Sequence, residues 1–295
     1  MRYLLYIFFT LFCSEGFSQD SSAVRKVVRS YIDLKTYKEK GDPLTKQDTI
    51  DFMIRGKDTL VLVPNEFIND LRHGKGVRVR YEPKDSLFLE TYKNIVFGNK
   101  ENSKATLKIW KEDIKIYFDT SVPKLHRTAL MDFAGGLSAD IDSLNIEKVN
   151  VKAESNYLVY YINDENDQDF EPRITQKTSG YYVTWNGRQQ LIQASLKVNT
   201  TNIKAQNYQI ANLKSNFIKT LGYFGVDPSI NCNSYFSNCP MIRNFTSSDM
   251  EILKYHYSYG ICKGTTREDF EDLHSKMKKT LKNRPDAELF IMHTP

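Results

Sequence analysis

The sequence predicts an α+β fold with a mixed or antiparallel sheet, and three observations carry that prediction. Apolar residues alternate with polar ones at Leu107 and Ile109, and again at Ile114, Ile116 and Phe118, the period of half-buried strands. Asn186-Gly187 separates two β-rich runs, Tyr181 to Trp185 and Leu191 to Val198, which marks a hairpin. Two helix stripes flank these runs. Leu130, Phe133, Leu137, Ile141 and Leu144 form one, and Ile210, Leu213, Phe217, Leu221 and Phe224 the other, each at spacings of 3, 4, 4 and 3. Strands and helices that occur in blocks, without strict alternation, make the class α+β.

The remaining elements follow in chain order. A smaller N-terminal region, 20–98, opens with a helix expected over Ser22 to Lys38, stopped by Gly41-Asp42-Pro43. Short β-like runs follow at Thr59 to Val63, Val77 to Tyr81 and Leu87 to Phe97. The polar stretch Gly98 to Lys104 reads as a boundary, and a second region occupies 105–283. Its first helix is expected to start at Pro123, since proline suits a first turn. Gly135-Gly136 inside that helix predicts a bend or the close approach of another element. Val149 to Val151 and Tyr157 to Ile162 read as strands, and Ala205 to Tyr223 as a helix. Thr246-x-x-Asp249 and Ser248-x-x-Glu251 are overlapping capping patterns for a helix through Tyr257, closed by Gly260. Thr265-x-x-Glu268 starts a last helix with Phe270, Leu273, Met277 and Leu281 inward, ended by Pro285.

The chain begins as exported proteins do. Arg2 precedes the apolar run Tyr3 to Cys13, which is too short for the roughly 20 residues a spanning helix needs. Gly16 and Ser18 supply the small residues of a signal-peptidase site, so residues 1–18 read as a cleavable signal peptide. Cleavage after Ser18 leaves Gln19 at the new terminus, and cleavage after Gln19 fits nearly as well. Cys13 suggests a lipoprotein, but bulky Phe12 stands where a lipobox takes a small residue. No other stretch approaches membrane length, so the mature chain is expected to be periplasmic or extracellular, without a transmembrane segment.

Composition sets further bounds. Removing the leader takes away one base and one acid, Arg2 and Glu15, so the net charge stays at +5. About 277 residues remain, enough for one large or two modest domains. With 18 Tyr and 17 Phe there is ample aromatic material for cores and strands. The densest basic run, Arg72 to Arg80, places Arg78 and Arg80 on one face of a strand, and a solvated face explains it better than nucleic acid. Of the three cysteines left, Cys232 and Cys239 bracket a loop rich in Asn and Ser that a disulfide would staple. Spacing alone does not decide connectivity, so pairing through Cys262 stays open. Without C-x-x-C spacing these cysteines do not read as a zinc site.

The string Leu213 to Gly222 (LKSNFIKTLG), with the order of elements around it, resembles the active helix of zincin metalloproteases, which reads H-E-x-x-H-x-L-G, Leu221-Gly222 setting the register. Downstream, Ser234-Tyr235-Phe236 resembles the family's S-I-M or S-I-F turn. Phe245 to Asp249 with Leu253 and Tyr257 resembles its L-T-x-x-D-x-x-x-L-x-x-L-Y. Tyr259 to Gly264 is similar to an exported bacterial family of unknown function, itself zincin-like with a degenerate motif. The resemblance covers about residues 105–275 and implies a zincin-like domain.

At the positions that would do the chemistry the chain departs from the family. Zinc hydrolysis needs two neutral imidazoles one turn apart, a third ligand and a carboxylate for the water's proton. Ser215, Asn216 and Lys219 stand there instead. An ammonium repels Zn²⁺, a serine hydroxyl is a poor ligand, and asparagine has no basic site, so zinc is not expected. The five histidines, His73, His126, His256, His274 and His293, lie elsewhere, no two within one helical turn. The expectation is an exported protein whose zincin-like domain is catalytically inactive and serves as a binding or structural module, its partner a protein or cell-envelope component. The alternative is a secreted hydrolase using scattered ligands such as His126 and His256, or a Ser215/Lys219 pair at i, i+4. Asp164 to Asp169 lacks the Gly and closing Glu of a calcium loop and reads as a solvated turn. The aromatic run Lys254 to Tyr259 reads as packing.

Overall fold

The computed structural model describes residues 30–40, 43–64, 67–68, 77–98, 105–239, 244–258 and 260–293. The leader, with Ser18 and Gln19, lies outside the described residues, as do 99–104 of the expected boundary and 72–76 of the basic run. The chain divides into two compact units, Met1–Gly74 and Lys75–Pro295.

In the first unit, β1 (Ser30–Asp33), α1 (Leu34–Lys40), α2 (Lys46–Ile50), β2 (Met53–Arg55) and β3 (Asp58–Val63) follow in order. The strands form an antiparallel sheet ordered β1-β3-β2, with Val61 and Val63 buried. The helix expected from residue 22 is corrected over 30–33, which pair with β3 in the register Ser30↔Val63 to Asp33↔Leu60. The helix begins only at Leu34, where the Asp33 carboxylate accepts from the Thr36 amide at 2.8 Å and its hydroxyl at 2.6 Å. A capping box between Thr45 and Asp48 opens α2.

In the second unit, β4 (Val77–Arg80) pairs antiparallel with the late strand β11 (Phe290–His293). Arg78 and Arg80 are exposed on β4, as a solvated strand face requires. The run 87–97, expected as a strand, is helix α3 (Ser86–Phe97). Asp85 caps it, accepting from the Phe88 amide at 2.8 Å, and Phe88, Tyr92 and Ile95 make the stripe that its dense apolar run hid. Because Tyr92, Ile95, Val96 and Phe97 enter the core of this unit, the division lies before α3, at 74/75, and not at 98–104.

The large sheet contains β5 (Ile109–Trp110), β6 (Ile114–Phe118), β7 (Ile146–Val149), β8 (Tyr157–Ile162), β9 (Ser179–Trp185) and β10 (Gln190–Asn199). Its order is β5-β10-β8-β6-β7, all neighbours parallel, while β9 pairs antiparallel with β10. The sheet is therefore mixed, and the Asn186-Gly187 turn joins its antiparallel pair. Among the described residues, four α-helices join α3 in this unit: α4 (Lys124–Asp140), α5 (Gln206–Thr220), α6 (Ser247–His256) and α7 (Arg267–Asn283). Helix α4 connects the parallel neighbours β6 and β7, and α5 packs on β9 and β10 and against α4.

Three helix details differ from expectation. Pro123 is the N-cap residue of α4, one place before the first turn, and Ile141 turns extended at the other end, so Leu144 lies past the helix. The last helix is capped by Thr266 and Asp269, one residue beyond the expected pair. Gly135 and Gly136 are exposed within an unbroken α4, and a Cβ at either would meet nothing within 4 Å. No neighbour needs these glycines. Replacing either by alanine is expected to raise stability by about 1 kcal/mol, read as a shift of the urea midpoint; a lowered midpoint would mean that the helix depends on glycine there.

Candidate functional site

Helix α5 follows β10 and turns back across the sheet. Ala205, its N-cap residue, contributes no side-chain cap, and the Gln209 amide closes the entrance by donating to the Ile203 carbonyl at 2.6 Å. The stripe Leu213, Phe217 and Leu221 is buried as its spacing predicts. Ser215, Asn216 and Thr220 are buried as well, so the polar side of α5 also faces protein.

Ser215, Asn216 and Lys219 come together on one cleft of about 400 Å³. Its other wall is the start of β9, Ser179 to Tyr181, and the chain after α5, Phe224 to Val226. The Asn216 amide donates to the Ser179 hydroxyl at 2.8 Å, which donates to Asn212 Oδ1 at 3.3 Å. The Asn216 amide thus ties helix to strand. Gly180 lets the preceding loop close over β9, since a Cβ there would lie 2.3 Å from Gln176 Oε1. The cleft is lined by hydroxyls, amides and one ammonium, with no carboxylate or imidazole among its described residues.

The turn after α5 is equally determined. Tyr223 adopts a left-handed φ of 55°, and Gly222 lies so close to its neighbours that a Cβ would sit 2.8 Å from His256 Nε2 and 2.3 Å from Phe224 Cζ. Downstream, the buried Asp249 carboxylate accepts from the Thr246 amide at 2.9 Å, the Tyr235 amide at 3.1 Å and the Ser234 hydroxyl. One side chain thus caps α6 and clamps the Ser234-Tyr235-Phe236 turn. Cys232 and Cys239 form a disulfide with Cα atoms 5.3 Å apart, and Cys262 is outside it, half-buried.

The histidines named as alternative metal ligands serve elsewhere. His126 on α4 shares a 2.9 Å hydrogen bond with the Tyr161 hydroxyl. His256 on α6 donates from Nε2 to the Lys108 carbonyl at 2.9 Å, which leaves Nδ1 to accept from the Tyr92 hydroxyl. His274 lies between the hydroxyls of Tyr81 and Tyr255, at 2.8 and 2.9 Å. His73 and the His293 side chain lie outside the described residues. Among the described residues no group of three His, Cys, Asp or Glu could hold a metal ion. Of the acidic run, Asp169 is held by Lys197, whose ammonium donates to it at 2.8 Å.

No protein-family model matches the chain, and no curated protein matches it.

Sequence reasoning missed a second feature beside this cleft. Lys108 is 7% exposed, and burial lowers its pKa. Its ammonium lies 4.5 Å from the Trp185 ring and 5.6 Å from that of Tyr223. The only local signal was Trp185 directly before the Asn186-Gly187 turn, because Lys108 sits in a run read as an alternating strand whose residues 107–110 are all buried.

Two predictions arise here. Gly222→Ala should destabilise the protein by roughly 1–3 kcal/mol, since it overpacks Phe224 and His256; an unchanged urea midpoint would contradict that packing. Burial holds both His256 and His274 at about 4, below the ordinary 6.5. The unfolded chain takes up these protons as pH falls through about 6.5, and the folded chain only near 4. Their stabilisation is therefore complete above about pH 6.5 and lost between there and 4, at up to about 1.4 kcal/mol per pH unit per histidine. Urea midpoints that stay level from about pH 7 to 5 would refute this.

Proposed function

We propose that the second unit is a catalytically inactive, zincin-like binding module of an exported protein, and that the cleft beside α5 receives a polar group of its partner, a protein or cell-envelope component. One observation carries this reading: the three positions where the resemblance would place ligands and base converge on a single cleft, and they hold a hydroxyl, an amide and a lysine in place of imidazoles and a carboxylate. The element order around α5, with a strand pair before it and a loop and two helices after, supports the zincin-like frame. Export is supported by the Cys232–Cys239 disulfide, which belongs to an oxidising compartment. Among the described residues no helix is long and apolar enough to cross a membrane.

The hydrolase reading has one observation in its favour, namely that Ser215 and Lys219 line the same cleft at i, i+4. Purified mature protein separates the two. On the binding reading, metal analysis finds zinc well below one equivalent, and peptide and ester probes are not hydrolysed by the protein or by Lys219→Met. Stoichiometric zinc that leaves with an activity on chelation would overturn it, as would an esterase or peptidase activity that disappears in Lys219→Met.

A further inference from the structure

Beyond Tyr181, Phe224 and Gly225, which line both, a second cleft of about 460 Å³ adjoins the first. Lys108, Trp185 and Tyr223 line it together with the last turn of α3, Ile95 to Phe97. Trp185 and Tyr223 are 40% and 47% exposed, with ring centroids 5.3 Å apart, so two large aromatic faces flank the ammonium of a lysine that is largely buried as a residue.

The environment of that ammonium is unusual within this protein. Lys197 is buried to a similar degree, at 5% exposed, and has the Asp169 carboxylate at 2.8 Å and the Ile174 carbonyl at 2.6 Å. Lys108, by contrast, has no carboxylate within 4.0 Å among the described residues. It donates to the Thr106 carbonyl at 3.0 Å and more weakly to the Thr106 hydroxyl at 3.4 Å. A buried charge is costly unless it is paired. The cation–π contacts offset part of that cost and leave the charge itself uncompensated. An ammonium has three N–H donors, and Thr106 takes two of them. The third is left for one acceptor entering from the cleft.

We infer that this cleft binds a small organic carboxylate, its anionic head on Lys108 Nζ and its apolar body between the last turn of α3 and the Trp185 and Tyr223 rings. One remaining donor and one uncompensated positive charge suit a singly charged carboxylate better than a phosphate, which carries more charge and more acceptor oxygens than Lys108 can meet. The apolar walls supply affinity for the body, and the buried ammonium rejects a neutral head. Nothing here depends on the role of the α5 cleft.

The chain reports its own occupancy. It has two tryptophans, and Trp110 is 2% exposed with its indole N–H on the Thr220 carbonyl, so a ligand-dependent change in tryptophan emission comes from Trp185. The probes are 4-phenylbutyrate and octanoate, their neutral amides, and phenyl phosphate, titrated into the full mature protein. We expect saturable binding of at least one acid, roughly tenfold or more tighter than its amide and weakened by added salt. Lys108→Met should lose that preference, and Trp185→Phe should lose the signal while calorimetry still detects binding. Equal affinity for acid and amide, no saturable binding by either acid, or tighter binding of phenyl phosphate would each overturn the proposal. Should Lys108→Met fail to fold, the comparison of acid with amide on the unaltered protein still decides.

Discussion

Helix α5 ends inside the core, and its last carbonyls have no water to turn to. A buried helix end needs donors from elsewhere in the protein. Here each carbonyl from Phe217 to Leu221 receives one. The Thr220 hydroxyl donates to Phe217 O, the Leu221 amide to Ile218 O and the Phe224 amide to Lys219 O. From further away, the Trp110 indole on β5 reaches Thr220 O at 3.0 Å, and the Tyr257 hydroxyl past α6 reaches Leu221 O at 2.7 Å. Strand, helix end and C-terminal helices are thereby drawn to one point. The reversal from Leu221 to Val226 that follows is the segment both clefts share, so their shape depends on how α5 stops.

The same economy of donors explains where the histidines went. The second unit buries several tyrosines, and a buried phenol needs a partner. Four of them, Tyr81, Tyr92, Tyr161 and Tyr255, are satisfied by His274, His256 and His126. Held neutral by burial, these imidazoles knit α3, α4, α6 and α7 to the sheet and to one another. An imidazole with both nitrogens engaged, as in His256, has no lone pair for a metal without breaking the interior. His126, by contrast, engages only Nδ1, its buried Nε2 having no hydrogen-bond partner among the described residues.

How legible all this was in the sequence varied by element, for physical reasons. Signals that are local and chemically specific were read correctly: the Asn186-Gly187 hairpin, the Thr246/Asp249 cap, the buried stripe of α5 and the Cys232–Cys239 staple. Residues 87–97 misled because a helix apolar on most of its surface reads like a strand, and Asp85 as its cap was the overlooked clue. Tyr31 and Ile32 fit a helix stripe as well as a strand, and only pairing with β3 decides. Parallel strand order leaves no local mark at all. The candidate helix could be placed from sequence, but not the cleft, since Ser179 and Gly180 come from a strand some thirty residues earlier. Lys108 was invisible because nothing in its neighbourhood announces a buried charge.

The motifs on which the zincin-like reading rests divide into two kinds. Leu221-Gly222, Ser234-Tyr235 and Thr246-x-x-Asp249 all have packing or hydrogen-bonding tasks: Gly222 admits the Phe224 and His256 rings, and Asp249 joins the Ser234 turn to the start of α6. A chain that lost them would lose its interior. Ser215, Asn216 and Lys219 instead line the α5 cleft, Ser215 and Asn216 largely buried there. Asn216 illustrates the difference, since its amide can donate to Ser179 where a glutamate carboxylate could only accept.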